Sequence, residues 1–322
     1  MKTSEKILEY LAKNNQATVN ELVDYLKISR MAVSKQLKKL INEDEVYKAG
    51  KPPKVFYFLK EADKIDSKKK LDKKTADFIE ANYLLITSSG ERKQGLDGFR
   101  HWCQANNLPL EKTSKEYLKA LKKYQSLKKE GYINGMEKFK KAFEAVNLDK
   151  IFYLDFYSIE RFGKTKLGQL LLYAKQSQSK ELMRELADYV CEPVNKLIKK
   201  ENIDAVGFIP PTVKREVQFM KELEKNLHLN LKKISIIKLK TEIPVPQKTL
   251  NKIKDREENA RKTIIVDEKG KYNKVLLIDD AAGSGATLNE TAGKIKRKGV
   301  AKKVLGISIT GSFKGFDVIS EV

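Results

Sequence analysis

The chain opens on three helical patterns. Ile7, Leu8 and Leu11 recur at the spacing of one helix face. Thr18 stands at an N-cap position with Glu21 three residues on as its capping-box partner, and Leu22, Val23 and Leu26 supply the apolar stripe behind them. After Lys27-Ile28, Ser29 caps a third predicted helix that runs to about Asn42, with Val33, Leu37, Leu40 and Ile41 inward. Two β-like runs follow, Val46–Lys48 and Val55–Leu59, around an Ala-Gly-Lys-Pro-Pro-Lys turn with an extended tip. Residues 61–75 are dominated by charge and read as a linker or the start of a solvated helix. From about Ala76 to Leu148 the pattern is helical and punctuated by glycines, and no motif stands out. His101-Trp102-Cys103 reads as packing.

From about Ile151 the texture changes. Phe152–Tyr157, Ala205–Ile209, Ile234–Leu239, Lys274–Ile278 and Val304–Ile309 read as strands. Gly168–Lys175, Glu181–Lys199 and Thr287–Lys298 read as helices between them. The run Lys274–Ile278 is continuously apolar after its lysine, as buried parallel strands are. Strands alternating with helices predict a doubly wound, mostly parallel α/β sheet. The expected organisation is therefore an N-terminal helical unit with a hairpin at 1–62, a linker and mainly α module at 63–149, and an α/β domain at 150–322.

Charge narrows the partners. There are 65 Lys+Arg against 43 Asp+Glu, a formal net charge of +22. Such a chain suits polyanions, nucleic acid or phosphorylated ligands, although lysines spread along the whole length also fit a Lys-rich proteome. The two cysteines, Cys103 and Cys191, have no metal-ligand spacing, which argues against a zinc site or disulfide framework and fits a reducing cytoplasm. The N-terminus has no apolar signal core and no run is long enough to span a membrane, so the expectation is a soluble cytoplasmic protein.

Two segments carry candidate chemistry. The third helix shows Arg30, Met31, Ser34, Lys35 and Lys38 on the face opposite its apolar stripe, a width one DNA major groove accommodates. Lys51 and Lys54 on the turn after it can reach phosphate or the minor groove. This unit resembles bacterial winged helix-turn-helix transcription regulators, which implies double-stranded DNA as a partner. A winged helix used for protein contacts is the alternative.

The second segment is VLLIDDAAGSGAT, Val275–Thr287. The strand places Asp279 and Asp280 at its carboxyl end, where α/β ligands bind and where paired carboxylates accept hydrogen bonds from vicinal ribose hydroxyls. Gly283, Ser284, Gly285, Ala286 and Thr287 then form a small flexible loop whose backbone N–H groups, hydroxyls and helix start favour a phosphate. A Walker A loop would need Gly-Lys-Ser/Thr where Ala286 and Thr287 stand, and a dinucleotide fingerprint would need glycine at Leu288.

This loop resembles the phosphoribosyl pyrophosphate (PRPP) motif of type I phosphoribosyltransferases, and the resemblance extends over roughly 150–322 to the competence protein F (ComF) branch, related to amidophosphoribosyltransferase-like domains. GFIPPTVKREVQFMKELEKNL is similar to the family's strand, pyrophosphate loop and helix, which implies a role on the pyrophosphate for Pro211, Thr212, Lys214 and Arg215. PVPQKTLNKIKDREENARKTI is similar to its mobile loop, with Gln247, Arg256 and Asn259 in matching places, and Lys175 stands at a usual lysine position. The resemblance implies Mg²⁺ bound with PRPP, and no protein side chain is assigned as a direct metal ligand. Ala281, Ala282 and Gly283 replace the bulkier residues and threonine usual in the family, the zinc ribbon of many ComF proteins is missing, and little chain follows the last strand to build a base-binding hood.

A winged helix joined to such a domain resembles in architecture the purine-operon repressors of Gram-positive bacteria. That implies a homodimeric transcriptional regulator that senses PRPP or a related phosphoribosyl ligand. Two alternatives stay open at this point: an active transferase that moves phosphoribose from PRPP to an amine or base, and a ComF-like DNA-uptake or recombination accessory.

Overall fold

The computed structural model describes residues 2–14, 16–43, 45–51, 54–59, 71–106, 108–213, 215–239, 245, 249–250 and 252–312, excepting the side chains of 49–51, 54 and 160. The chain divides into two compact units, Met1–Lys70 and Leu71–Val322.

The first unit holds α1 (Thr3–Asn14), α2 (Val19–Leu26), α3 (Arg30–Asn42), β1 (Val46–Lys51) and β2 (Lys54–Leu59). Both helix starts are fixed by the residues that the pattern singled out. The Thr18 hydroxyl accepts from the Glu21 amide while the Glu21 carboxylate takes the Thr18 amide at 2.6 Å, and Ser29 Oγ accepts from the Ala32 amide at 3.2 Å. Ile7, Leu11, Leu22, Val33, Leu37, Leu40 and Val46 form the core. β1 and β2 pair antiparallel from Val46↔Leu59 to Lys51↔Lys54, and Ala17 bonds across to Tyr57 in both directions.

The second unit begins with α4 (Lys73–Asn82), β3 (Leu84–Ile86), β4 (Arg92–Gln94), α5 (Gly95–Ala105), α6 (Leu110–Gln125), β5 (Lys128–Lys129), β6 (Tyr132–Asn134) and α7 (Met136–Ala142). It continues through β7 (Lys150–Phe156), α8 (Lys166–Ser177), α9 (Lys180–Glu201), β8 (Ala205–Phe208), α10 (Phe219–Leu227) and β9 (Lys232–Lys233). It closes with β10 (Ile236–Lys238), α11 (Ile253–Thr263), β11 (Ile264–Val266), β12 (Tyr272–Ala282), α12 (Ala286–Arg297) and β13 (Ala301–Gly311).

Seven strands form one mixed sheet in the order β5-β6-β7-β13-β12-β8-β9. β7, β13, β12, β8 and β9 run parallel, and the β5–β6 hairpin adds antiparallel to β7. The sheet is thus less uniformly parallel than the strand and helix alternation implied, because the outer edge of β7 is covered by a hairpin from the preceding segment. Alternate residues of β12 feed opposite cores: Val275 and Leu277 pack with α12, Leu276 and Ile278 with α8, α9 and α10.

Three expectations change. Residues 71–149 do not form a separate helical module: two hairpins interrupt the helices, and Ile79, Phe99, Tyr117 and Phe139 share one core with Ile151, Val275 and Leu288. The run Ile234–Leu239 does not enter the main sheet but gives the short β10, paired antiparallel with β11. The stretch expected as a mobile loop is helical from Ile253 onward, held by Arg256, Ala260 and Thr263, a buried stripe too polar for a hydrophobic pattern to reveal.

The segment before β7 is tied to α12 by the Lys296–Asp149 ion pair at 2.9 Å and, more deeply, by Asn289. Asn289, fully buried, accepts from the Asn147 amide at 2.7 Å and donates to the Ala145 carbonyl at 2.8 Å. Asn289→Ala leaves both backbone groups without that partner and should cost about 1–3 kcal/mol in a urea unfolding titration of the full chain.

Candidate functional site: a cleft at the carboxyl ends of β8 and β12

On the first unit, the structure brings Arg30, Met31, Ser34, Lys35 and Lys38 to one exposed face of α3, opposite buried Val33, Leu37 and Leu40. The side chains of Lys51 and Lys54 lie outside the described residues.

On the second unit, β8 and β12 are parallel neighbours whose following helices pack on opposite faces, α10 in one core and α12 in the other. Loops that part in this way leave a crevice at the carboxyl ends of the two strands. A cleft of about 220 Å³ lies there. Ile209–Val213 and Arg215 line it from the loop after β8, and Asp279–Ala281 and Gly283–Thr287 from the end of β12. Lys175, Lys238 and Arg256 reach it from α8, β10 and α11.

The loop after β12 is shaped by one residue. Gly285 has φ +76°, and a Cβ built on it would fall 2.1 Å from the Phe139 ring. Its left-handed turn starts α12, and among the described residues no side chain caps that start. The first turn of α12 thus borders the cleft through Ala286 and Thr287, beside Ser284, whose Oγ accepts from the Ala286 amide at 3.3 Å.

Acids and bases interleave across the cleft. Lys175 Nζ sits 2.6 Å from Asp280 Oδ2, and the Asp280 amide donates to Asp279 Oδ1 at 2.9 Å. Burial first, and the charge of Asp280 second, hold the Asp279 carboxyl well above the usual carboxylate range, with Lys175 and Lys238 pulling it down. Burial pushes the Lys238 ammonium down, with Asp279 opposing. The turn after β8 is tied to α8 and its C-terminal cap: Arg215 donates to the Lys175 carbonyl, and the Val217 amide donates to Gln178 Oε1 at 2.9 Å.

Most of the residues singled out from the pattern or from the resemblance therefore converge. Pro211, Thr212, Arg215, Asp279, Asp280, Gly283, Ser284, Gly285, Ala286 and Thr287 all line one cleft. Lys214 and Gln247 lie outside the described residues. Arg256 lines the cleft from a helix, 4% exposed, with Nε donating to the Leu250 carbonyl at 2.7 Å. Asn259 lines an adjoining cavity with Thr263. Lys238 was not singled out, although alternation along Ile234–Leu239 puts it on the inward face beside Ile236. No group of three or more metal-ligating side chains occurs among the described residues.

A family model described as bacterial regulatory protein, arsR family, matches residues 3–48. The first unit carries an arsR-family helix-turn-helix domain. The domain is accordingly of a DNA-binding regulator kind. Among curated proteins none matches the chain. Among solved structures, a hypoxanthine phosphoribosyltransferase from Staphylococcus aureus is similar at 15% identity and a TM-score of 0.25, over 41% of this chain and 66% of that one. A likeness that loose adds nothing to what the strand order and the loop show by themselves. No helix among the described residues is long and apolar enough to cross a membrane.

Two outcomes follow from the cleft. Gly285→Ala should displace the loop, because the new methyl meets Phe139 in a backbone conformation that alanine resists, and anion binding at the cleft, read by calorimetry with inorganic phosphate, should fall at least tenfold. Asp279 has a raised folded-state pKa, so its contribution is full below the unfolded value of about 4 and is lost as pH rises through the folded value. Asp279→Asn should therefore equal the parent in urea unfolding near pH 4 and exceed it in stability at about pH 9.

Proposed function

We propose that the chain is a transcriptional regulator whose second unit, similar to a type I phosphoribosyltransferase, binds PRPP or a related phosphoribosyl ligand as effector. The observation that carries this reading is the convergence of an acid pair, an uncapped helix start and a ring of cations in one cleft at a sheet switch point. The 5′-phosphate would rest on Gly283–Thr287, the vicinal hydroxyls on Asp279 and Asp280, and the pyrophosphate on Pro211–Arg215 with Lys214. Lys175, Lys238 and Arg256 would add positive charge around it. Arg256 and Asn259 keep their family assignment on the helix beside the cleft, and Gln247 keeps its family assignment from the sequence.

Magnesium fits this site as a companion of the ligand. Among the described residues the acids lining the cleft are Asp279 and Asp280, too few for a protein cage, so the ion would come with the ligand's phosphates, which it would neutralise, with these carboxylates nearby. A homodimer whose geometry follows ligand occupancy would connect the cleft to DNA. The ligand can act only through different affinities for the two states.

One observation favours catalysis as a second reading. The acid pair and Arg215 line the same cleft; in this reading the carboxylates would stabilise positive charge developing on the ribose and Arg215 would neutralise the leaving pyrophosphate, as transfer of phosphoribose to an amine or base needs. A ComF-like role in DNA uptake would use the same fold and ligand site.

Calorimetry with PRPP and Mg²⁺ tests the shared step. The parent should bind one PRPP per chain, and the folded double variant Asp280→Asn, Thr287→Ala should bind none. Unchanged affinity in that variant would remove the ligand assignment. A pyrophosphate-release assay with amines and bases separates the readings: sensing predicts no turnover.

A further inference from the structure

Helix α3 presents one large apolar side chain to solvent on a face that is otherwise polar or cationic. Met31 is 82% exposed, far above the next large apolar side chain among the described residues, Tyr25 at 47%. It is the second residue of the helix, after Arg30 and the Ser29 cap. Ser34, Lys35 and Lys38 follow it at the spacings that keep residues on one helix face, and all are exposed. From Met31 to Lys38 the row is about 10 Å long. Val33, Leu37 and Leu40 anchor the opposite face in the core, so the helix cannot turn to bury Met31.

In a helix-turn-helix domain the second helix of the motif lies in the major groove with its first residues over the base edges. There, unmodified base pairs display hydrogen-bonding groups and a single kind of apolar group, the 5-methyl of thymine. Arg30, Ser34 and Lys35 can bond to the polar edges. Met31 has no donor and only a weak acceptor, so against a polar edge it would leave that edge dry and unbonded. The thymine methyl is the one partner in the groove that suits it.

We propose that Met31 is a specificity-determining residue that reads a thymine methyl opposite the first turn of α3. The inference rests on the DNA-binding reading of the first unit. It assigns the operator a T·A pair at that position in each half-site, with the charged residues of the row bonding or neutralising around it.

The test uses the full-length protein. Duplexes that it binds are selected from a random pool, and each thymine of the selected site is then replaced singly by deoxyuracil, which removes the methyl and nothing else. At one thymine per half-site the replacement should weaken binding by the parent roughly fourfold, the worth of one methyl group taken out of water. Met31→Ala should bind the thymine and uracil duplexes equally, and Met31→Leu, still apolar, should keep the preference. The inference is overturned if no replacement matters, or if the replacement weakens the parent and Met31→Ala alike. If the parent selects no duplex even at low salt, the DNA-binding reading itself fails and takes the inference with it. That result is distinct from a bound but methyl-insensitive site.

Discussion

Strand β12 lies between β13 and β8, and its stretch Val275–Ile278 is buried from both faces of the sheet. A strand held on four sides can place polar residues only where one of its neighbours ends. Past Ile278 the strand loses β8 but keeps β13 as far as Ala282, so Asp279 and Asp280 stand on that half-open edge, and the turn at Gly285 beyond Ala282 sets the start of α12 beside the same space. The loop after β8 meets the same space because β8 pairs with β12 from Val275↔Ala205 to Ile278↔Phe208. Lys175, Lys238 and Arg256 come from three further elements, and each is positioned by its own packing. The cleft is thus a product of the sheet register.

The same burial sets a cost. Two adjacent carboxylates in a part-buried cleft repel each other, and Asp279 responds by holding its proton more tightly. Lys175 offsets this by pairing with Asp280. Lys238, itself pushed toward its neutral form by burial, offsets less. An acid pair kept under such tension is poorly explained by stability, which an apolar pair would serve better, and is well explained by a ligand that offers hydroxyl donors.

Features fixed by local rules were legible in the chain itself. The Thr18–Glu21 box, the Ser29 cap, the apolar stripe of α3 and the strand–acid–glycine order of Val275–Thr287 each depend on neighbours within a few residues. Features fixed by distant partners were not. β5 and β6, only two and three residues long, become strands because β7 offers an edge. α11 has no apolar stripe of its own, and its burial of Arg256 follows from the wall of the cleft. The outward placement of Met31 was legible too, since the apolar stripe of α3 puts it on the opposite face; only the extent of its exposure needed the structure.

The account stands on a link between the cleft and DNA affinity, and a DNA titration at fixed ionic strength, with and without saturating PRPP and Mg²⁺, measures it most directly. Couplings between sites usually amount to ~1–3 kcal/mol, so PRPP should change the affinity for the selected duplex by roughly 5- to 150-fold. Equal affinities in the two titrations, with PRPP demonstrably bound, would contradict the sensor account.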